Sequence, residues 1–377
     1  MIRPLSVIPE SLPPAPAPLV AVDRACGEIR RGGIVVLREK IGGSWALVLA
    51  TEAATEDSLA RLASLAGSEA ALVVTTRRVR ALGQEPPAAE AALLEDPRGL
   101  SVSELLAVAD PCADLPVPAG LHFVAAVPGG AAEAAMRLAK IARLLPSAFV
   151  APCEGDAAAF ARRHHLLCVT ADEIAVHTAM AAESLRLVGE ARVPLVESEN
   201  TRILAFRPSD GGVEHLAIVI GEPDLDRPVL TRLHSECFTG DLLGSLRCDC
   251  GDQLRGAIAE ISQAGSGILL YLAQEGRGIG LVNKLRAYRL QDAGFDTLDA
   301  NGQLGFDDDE RVYLPAARML RLLGVEQVRL LTNNPLKVQA LARHGIAVSE
   351  RVPHVFPANG HNEHYLRTKA TRSGHLF

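Results

Sequence analysis

The sequence has 377 residues, of which 48% are hydrophobic and 22% charged, with a formal net charge of -7 at pH 7 and a pI near 5.9. This length exceeds what one hydrophobic core usually supports, so it predicts two domains. The apolar runs are too short to span a bilayer, and the acidic balance argues against a broad nucleic-acid or membrane surface. We therefore expect a soluble protein with no nucleic-acid or membrane partner.

The first twenty residues are rich in proline. Proline interrupts the apolar run that a secretory signal needs, which indicates a cytoplasmic protein with an extended or disordered leader over residues 1–20. An odd number of cysteines, seven, argues against a disulfide framework. Four of them are scattered singly and are expected to be small buried apolar residues: Cys26, Cys112, Cys153 and Cys168.

The first half, residues 21–192, alternates helical and strand patterns. Residues 22–40 predict a short helix, a Gly-Gly turn and a strand. Three alanine-rich helical stretches then each precede an apolar strand; the helices are predicted at 56–67, 131–145 and 156–165 and the strands at 71–76, 147–152 and 166–170. This alternation predicts an α/β domain whose sheet is flanked by helices.

The second half, residues 193–377, begins with strands that Asp, Gly and Pro turns separate. Helices return after Cys248, with strands at 267–272 and 328–332 between them. The fold class predicted for the chain is therefore α/β, or α+β, in two domains, the second with a mixed sheet and helices.

Three cysteines, Cys237, Cys248 and Cys250, fall within fourteen residues. Thiolates suit Zn²⁺, which takes about four ligands, so three protein ligands leave one position for water, as in a catalytic site. Zinc would lower the pKa of that water toward ~7 and supply a nucleophile at neutral pH. Two alternatives stay open from the residues alone: three reduced cysteines packed in a core, or a zinc site that His234 closes.

A glycine-rich turn at residues 274–284 directly follows a predicted strand. Glycines let the backbone approach a ligand, and Arg277 and Lys284 could meet phosphate charge. Such turns at strand ends are commonly only turns, so this stretch alone is weak support for a binding site.

Two more polar stretches have a functional and a structural interpretation. Carboxylates at 307–310 precede a helix, where capping and the helix dipole could explain them. A strand runs into 332–334 and then Pro335, a suitable first helical position. The hydroxyl, the amides and Lys337 could hold a phosphate or a base edge there, or form only a turn.

In this order and spacing, the four stretches resemble the GTP cyclohydrolase II family of zinc enzymes, which open riboflavin biosynthesis. The resemblance runs through "RLHSECFTGDLLGSLRCDCGDQL", "YLAQEGRGIGLVNKLRAYRLQDAGFDT", "ANGQLGFDDDERVY" and "LLTNNPLK" to "NEHYLRTKATRSGHL", close to the whole of residues 195–377. It implies zinc-dependent hydrolysis of GTP to 2,5-diamino-6-(5-phospho-ribosylamino)pyrimidin-4(3H)-one, formate and pyrophosphate, with Mg²⁺ on the GTP phosphates.

The resemblance also implies roles for individual residues. The three cysteines align with the zinc ligands, Asp309 with the general base or proton acceptor, Arg311 with the proposed nucleophile toward the α-phosphorus, and Tyr288 with a tyrosine near that chemistry. The positions that align with GTP-binding residues are Arg232, Leu233, His234, Ser235, Glu236, Gln253, Glu275, Gly276, Arg277, Thr297, Thr332 and Lys337. Because a guanidinium stays protonated near neutral pH, the alternative that Arg311 stabilises phosphate charge stays open.

The first half resembles 3,4-dihydroxy-2-butanone 4-phosphate synthase, which is often fused ahead of GTP cyclohydrolase II, through "EIRRGGIVVL" and residues 131–177. The acidic run of active synthases is replaced by "REKIGGSWALVLA", and their Arg-Gly-His-Thr run by "PGGAAEAA". Without those carboxylates and that histidine the Mg²⁺ site lacks its ligands, so we expect a catalytically silent domain with a structural, dimerising or regulatory role. Both families form homodimers, so a homodimer is expected.

Two other functions stay open: a paralogue that acts on another purine nucleotide, and a module that binds GTP without turning it over. Intact "RLHSE", "DDER" and "TNNPLK" favour GTP as the substrate. Retention of Asp309, Arg311 and the three cysteines favours catalysis over sensing.

Overall fold

A computed structural model describes residues 15–39, 44–356 and 360. These residues form two compact units. The amino-terminal unit comprises residues 16–178 and 279–310, and the carboxy-terminal unit is built from residues 179–278 and 311–356. Over the described ranges, no helix combines the length and the apolarity that crossing a membrane requires.

The amino-terminal unit contains a seven-stranded sheet with helices on both faces. Its strands lie in the order β5-β4-β3-β6-β2-β1-β7, and only β1 and β7 pair in parallel. The strands are β1 Val35–Arg38, β2 Trp45–Ala50, β3 Ala71–Thr75, β4 Ala91–Leu94, β5 Phe123–Ala125, β6 Ser147–Cys153 and β7 Leu167–Thr170. The helices are α1 Ala17–Arg30, α2 Glu56–Ala66, α3 Thr76–Ala81, α4 Val102–Ala109, α5 Ala131–Ile141, α6 Ala157–His164, α7 Ala171–Glu183, which crosses into the other unit, α9 Leu281–Asp292 and α10 Thr297–Gln303.

Alternation along the strands explains the two-faced core of this sheet. In β1, Val35 and Leu37 join the apolar cluster that α1 and α5 cover, whereas Val36 joins the cluster of α2, α4 and α6. The α/β architecture predicted from the alternating helices and strands is therefore confirmed for this unit.

The predicted proline-rich leader needs a correction where the structure describes it. Helix α1 begins at Ala17, inside the segment predicted to be extended, while residues 1–14 lie outside the described residues. Pro18 is tolerated because it stands in the first turn, where the backbone N–H has no intrahelical partner. Leu19, Val22 and Ile29 recur on one face and are buried, which holds this helix against the sheet.

The carboxy-terminal unit contains a second seven-stranded sheet, in the order β14-β13-β11-β12-β10-β9-β8. The four strands from β14 to β12 are parallel and the remaining pairs antiparallel, so the sheet is mixed, as predicted. The strands are β8 Arg186–Arg192, β9 Thr201–Arg207, β10 His215–Ile220, β11 Val229–Ser235, β12 Gly267–Leu272, β13 Gln327–Leu331 and β14 Ala347–Val352. The helices are α8 Cys250–Gln263, α11 Leu314–Leu322 and α12 Pro335–Arg343.

The two units do not follow the predicted division at residue 193. Strand β8 already pairs with β9, because its buried Leu187 belongs to the core of the carboxy-terminal sheet. Residues 279–310 group with the amino-terminal unit, since α9 and α10 bury Ala287, Leu290 and Ala300 against Leu145 of that unit.

All seven cysteines are described, and none is in a disulfide. Cys26 lies on the buried face of α1, in the core, as expected of a small apolar residue. The other three scattered cysteines are half-buried and pack at the edges of apolar clusters. Burial raises the pKa of the Cys112, Cys153 and Cys168 thiols, so these side chains stay protonated at neutral pH.

Candidate functional site

The parallel half of the carboxy-terminal sheet places three polar segments at one edge. Strands β11, β12 and β13 run in the same direction, so their carboxyl ends meet there. Residues 236–237 follow β11, residues 274–278 follow β12, and residues 332–334 follow β13. In α/β sheets, ligands bind outside the carboxyl ends of the strands, and these segments are the ones whose composition suggested chemistry.

The sulfurs of Cys237, Cys248 and Cys250 come together at this edge, all within 4.8 Å of one another. The sulfurs of Cys237 and Cys248 are 3.7 Å apart. Two thiolates bound to one tetrahedral zinc at about 2.3 Å would be about 3.8 Å apart, so the spacing fits that ion. The Cys237 thiol raises the pKa of Cys248 to about 11, and the pKa of Cys250 is raised as well. The three thiols therefore resist ionising together unless a cation compensates their charge.

Gly240 leaves the room that this cluster occupies. It lies in a π-helical turn at Phe238–Leu242, between the first two cysteines. A Cβ at position 240 would lie 2.7 Å from the sulfur of Cys248 and 3.1 Å from that of Cys237. Real Cβ contacts as short as 2.7 Å essentially never occur, so a side chain at position 240 would force the sulfurs to shift.

Asp241 organises the loop that carries Cys237. Its carboxylate accepts a hydrogen bond from the Cys237 backbone N–H at 2.9 Å and one from the Tyr271 hydroxyl at 3.0 Å. Its two oxygens lie 3.0 and 3.1 Å from Nε2 of His234. Burial, and then the Asp241 carboxylate, raise the pKa of Tyr271, which stays a neutral donor. Three donors on one buried carboxylate fix the loop before any ligand binds.

His234 does not join the sulfur cluster as the predicted alternative ligand. Burial lowers the pKa of His234 more than Asp241 raises it, so the imidazole is neutral. A neutral imidazole facing a carboxylate through Nε2 must carry its proton there. The ring also stacks on Tyr271 with centroids 5.6 Å apart, because the two residues are register partners on β11 and β12.

Arg232 is a buried cation on β11 with spare hydrogen-bonding capacity. Its Nη1 donates to the Leu331 carbonyl at 2.9 Å and its Nη2 to the side chain of Gln253. The Nε donor is buried and has no hydrogen-bond partner among the described residues. Burial lowers the pKa of Arg232 to about 10, so the group stays charged at neutral pH. A buried guanidinium with an unused donor suits an anionic or polar ligand.

The other β11 residues contribute in different ways. The side chain of Leu233 packs in the core, so only its backbone can face a ligand. Ser235 Oγ accepts a hydrogen bond from Nε2 of Gln274 at 3.1 Å. The backbone N–H of Glu236 donates to the Leu272 carbonyl at 2.8 Å, which extends the pairing of β11 with β12.

Glu275 ties the glycine-rich turn to the cysteine loop. Its buried carboxylate accepts hydrogen bonds from the backbone N–H of Phe238 at 2.6 Å and of Gly276 at 2.8 Å. Gly276 and Arg277 adopt left-handed conformations, with φ of 63° and 62°. A non-glycine residue rarely adopts this conformation, which costs of order 1–3 kcal/mol and clusters at binding sites.

The segment after β13 forms the predicted strand-to-helix junction. Helix α12 begins at Pro335, and the Asn334 side chain caps it by accepting from the backbone N–H of Leu336 at 2.9 Å. The Thr332 hydroxyl accepts from the backbone N–H of Asn334 at 3.0 Å. The buried Lys337 ammonium donates to the Leu233 carbonyl at 2.8 Å, which places its charge beside β11.

Three predicted site residues belong to the amino-terminal unit. Tyr288 lies on α9, where Nζ of Lys284 is 5.6 Å from its ring centroid. Thr297 is the first residue of α10, and its hydroxyl accepts from Nε2 of Gln291 at 3.4 Å. Asp309 is exposed, in the loop between α10 and α11. Arg311, two residues on, belongs to the carboxy-terminal unit, with its guanidinium carbon 5.9 Å from the Tyr313 ring centroid.

The acidic run at 307–310 does not cap a helix, because α11 begins only at Leu314 and its N-cap residue, Tyr313, makes no side-chain cap bond. The run instead makes ion pairs within the amino-terminal unit. Asp307 and Asp308 pair with Arg77 at 2.7 and 3.0 Å.

Sequence reasoning did not identify Gly240, Asp241 or Tyr271. None of them carries a spacing signal, since Gly240 matters only once the three sulfurs meet around it, and Asp241 contacts Tyr271 and His234 only once β11 and β12 pair. The one available hint is that Gly240 and Asp241 lie between the first two cysteines.

Some known proteins resemble this chain over its whole length, and others resemble only its second half. The sequence profile described as GTP cyclohydrolase II matches residues 185–353. A GTP cyclohydrolase-2 from Azospirillum brasilense is 57% identical over 378 aligned residues, 99% of this chain and 98% of its own length. One from Cronobacter sakazakii is 53% identical over 193 residues, which is 98% of its own length but only 51% of this chain. The rest of this chain therefore has no counterpart in that shorter relative.

Among solved structures, a two-domain 3,4-dihydroxy-2-butanone 4-phosphate synthase from A. baumannii covers 89% of this chain and 99% of its own, with 19% identity and a TM-score of 0.35. A likeness at this TM-score supports no conclusion about fold or function.

Proposed function

Because this chain belongs to the GTP cyclohydrolase II family and is an enzyme of that class, we propose that it hydrolyses GTP in a zinc-dependent reaction. The products are 2,5-diamino-6-(5-phospho-ribosylamino)pyrimidin-4(3H)-one, formate and pyrophosphate, and the reaction is the first step of riboflavin biosynthesis. The observation that carries the zinc dependence is the cluster of three cysteine sulfurs within 4.8 Å of one another.

Cys237, Cys248 and Cys250 would hold the zinc ion. Three thiolates are a donor set that zinc favours, and with three protein ligands a fourth position is left for water or substrate. Bound zinc supplies Lewis-acid chemistry that lowers the pKa of coordinated water and stabilises developing negative charge. The chain's own contribution is to fix the sulfurs, through the bonds of Asp241 and the room at Gly240.

The residues at the carboxyl ends of β11, β12 and β13 would bind GTP. Arg232 offers a buried charge and an unused Nε donor, and Lys337 a buried ammonium beside it on the sheet edge. Glu275 holds a turn whose left-handed residues let backbone approach a ligand closely. Guanine selection requires paired donors and acceptors, because a base that leaves buried polar groups unpaired is rejected.

Asp309 would accept a proton during ring opening, as its family resemblance implies. Its carboxylate is exposed, and a carboxylate is one of the side chains that can act as a general base. Arg311 would stabilise the charge on the phosphates, since a protonated guanidinium is a poor nucleophile. The Mg²⁺ expected with the GTP phosphates would supply positive charge that offsets theirs.

We propose a cytoplasmic homodimer whose first half has no synthase activity. Two carboxylates of that half, Glu39 and Glu133, already hold the local backbone. They accept hydrogen bonds from the backbone N–H groups of Ala131 and Gly129, at 2.9 and 2.7 Å. Rescue of growth in a strain that lacks dihydroxybutanone phosphate synthase would contradict the silent assignment, and sedimentation of the purified chain tests the dimer.

Product analysis tests the catalytic proposal. The full chain, purified with Zn²⁺ and Mg²⁺, should convert GTP to the pyrimidine, formate and pyrophosphate in equal amounts, as mass spectrometry and anion assays can measure. If GTP stays intact while another purine nucleotide is consumed, the chain is a paralogue with a different substrate. If GTP binds but no nucleotide is consumed, the chain is a sensing module.

A further inference from the structure

The segment 279–310 carries three of the predicted site residues but is organised by the first half of the chain. Tyr288, Thr297 and Asp309 all lie in it. It forms one compact unit with residues 16–178. The bonds that hold it are therefore made by residues that the catalytic proposal does not use.

Two backbone anchors fix the chain just before the acidic run. The Thr75 hydroxyl donates to the Gly305 carbonyl at 2.8 Å. A Cβ on Gly305 would lie 2.8 Å from that hydroxyl, and its φ is +84°, so glycine permits this approach. The buried Arg78 guanidinium donates to the Gln303 carbonyl at 2.9 Å and to the Val108 carbonyl at 2.8 Å. The Arg78 guanidinium thereby joins the last turn of α10 to the last turn of α4. Its positive charge interacts favourably with the negative end of each helix dipole there.

Helix α9 is anchored by a second group of polar bonds. Asn283 donates to the Arg143 carbonyl at 3.1 Å. Arg286 is half-buried and pairs with Glu52 and Asp110, each at 3.1 Å. These bonds flank the apolar cluster in which Leu145 meets α9 and α10.

A charged clamp then holds the residues on both sides of Asp309. Lys140 on α5 pairs with Asp307 at 3.1 Å and with Glu310 at 2.7 Å. Arg77, on α3, pairs with Asp307 and Asp308. The backbone N–H of Asp307 donates to the Glu310 carboxylate at 2.8 Å, which closes a turn around Asp309.

We propose that Lys140 and Arg77 are positioning residues for the cyclohydrolase reaction, which hold the 307–310 turn so that Asp309 can act. The silent first half thus keeps a role as the platform of the catalytic segment. This inference rests on the proposed function of Asp309 as proton acceptor. It does not require the first half to bind any ligand.

The effect should appear in turnover rather than in folding. Ion pairs that stay partly exposed to solvent contribute little to stability, so their loss should leave the unfolding temperature almost unchanged. Misplacing a catalytic group by about 1 Å can cost up to ~100-fold in rate. GTP binding by Arg232 and Lys337 does not depend on these pairs, so the rate should fall while the KM for GTP stays the same.

The first test compares Lys140→Met with Lys140→Arg in the full zinc-loaded chain. Lys140→Met should lower kcat about 10-fold or more, with an unchanged KM for GTP and unchanged zinc content, and Lys140→Arg should restore most of the rate. The matched control is Arg137→Met, which removes a cation one turn earlier on α5 that pairs with the exposed Glu90. It should keep the wild-type kcat.

The second test does not depend on activity. In the Lys140→Met and Arg77→Gln double variant, amide hydrogen exchange over residues 300–312 should accelerate while the rest of the chain exchanges as in the wild type. Wild-type exchange over that segment overturns the inference, whatever kcat does. A wild-type kcat in the double variant overturns it as well. If the wild-type chain fails to hydrolyse GTP, the proposed function fails, and the exchange result still decides whether the clamp holds the turn.

Discussion

The cysteine loop and the 279–310 segment are organised in opposite ways. Asp241, which orders the cysteine loop, lies four residues from Cys237 and seven from His234. The 279–310 segment is held by residues far away in the chain, since Arg77 and Asp307 are 230 positions apart. The cysteine cluster is therefore a local construction of one unit, whereas the segment with the proposed proton acceptor depends on the first half of the chain.

The difference predicts two kinds of mutational sensitivity. Changes near the cysteines should act on zinc occupancy and leave the acidic turn intact. Changes in the clamp should act on turnover and leave zinc occupancy intact.

Cys248→Ser should abolish GTP ring opening and most zinc binding, because a neutral hydroxyl replaces one of three thiolates. Metal analysis and product assay on the same sample measure both effects. Cys153→Ser is the control, since that half-buried thiol lies outside the sulfur cluster and donates to the Ala151 carbonyl at 3.5 Å, as a hydroxyl can. Full zinc content in Cys248→Ser would contradict the three-sulfur site.

Gly240→Ala should remove most of the bound zinc without changing any proposed ligand. The added Cβ would lie 2.7 Å from the sulfur of Cys248, so the sulfurs must separate. Zinc per chain, measured after gel filtration, reports the loss. Gly189→Ala should behave as the wild type, because an added Cβ there meets no atom within 4 Å. Stoichiometric zinc in the Gly240 variant would show that the cluster tolerates a Cβ.

Asp241→Asn should weaken zinc binding about 10–100-fold, as the loss of groups that orient metal ligands typically does. The amide cannot accept all three of the hydrogen bonds that the carboxylate accepts. Competition with a chelator measures the affinity, and Asp224→Asn, an exposed carboxylate paired with Arg227, is the control. Unchanged affinity would mean that the loop is ordered by other contacts.

The acidic turn should carry a small pH dependence of stability. Burial raises the pKa of Asp307, but the positive charges of Lys140 and Arg77 together lower it by more. The pKa of Asp307 in the folded chain therefore lies below the ordinary value of 3.8. A carboxyl group with a lowered folded pKa stabilises the fold above pH 3.8, and this contribution is lost as the pH falls through the folded pKa. For a half-exposed group it should stay below about 1 kcal/mol.

Asp307→Asn isolates that contribution. The free energy of unfolding, followed from pH 6 down to about pH 3, should fall less steeply in the variant than in the wild type. Parallel curves for the two proteins would show that the ion pairs of Asp307 do not stabilise the folded chain.

The sequence allowed much of each sheet to be predicted. The helices before β3, β6 and β7 are found where expected, because each is periodic in sequence. The junction at Pro335 is also found where expected, because Pro335 stands at a suitable first helical position and Asn334 caps it. Short helices such as α3 and α10, and the edge strand β5, were not anticipated. They are set by neighbours rather than by periodicity: α3 follows β3 directly and is capped by the Thr75 hydroxyl.

Only those site residues could be predicted whose shared chemistry requires them to lie close together in the sequence. Three thiols close together in sequence indicate a metal site by themselves. Asp241 is a lone carboxylate in sequence, and its role depends on His234 and Tyr271 being paired on adjacent strands. The clamp was likewise hidden, because Lys140 and Glu310 become neighbours only through the packing of the amino-terminal unit.

X-ray absorption spectroscopy at the zinc edge measures which atoms surround the metal that the three cysteines would hold. The purified wild-type chain should hold about one zinc with three sulfur neighbours near 2.3 Å and one lighter oxygen neighbour, the arrangement of a metal centre with an open position. Absence of zinc, or a fourth sulfur or histidine ligand that closes the coordination, would contradict the account.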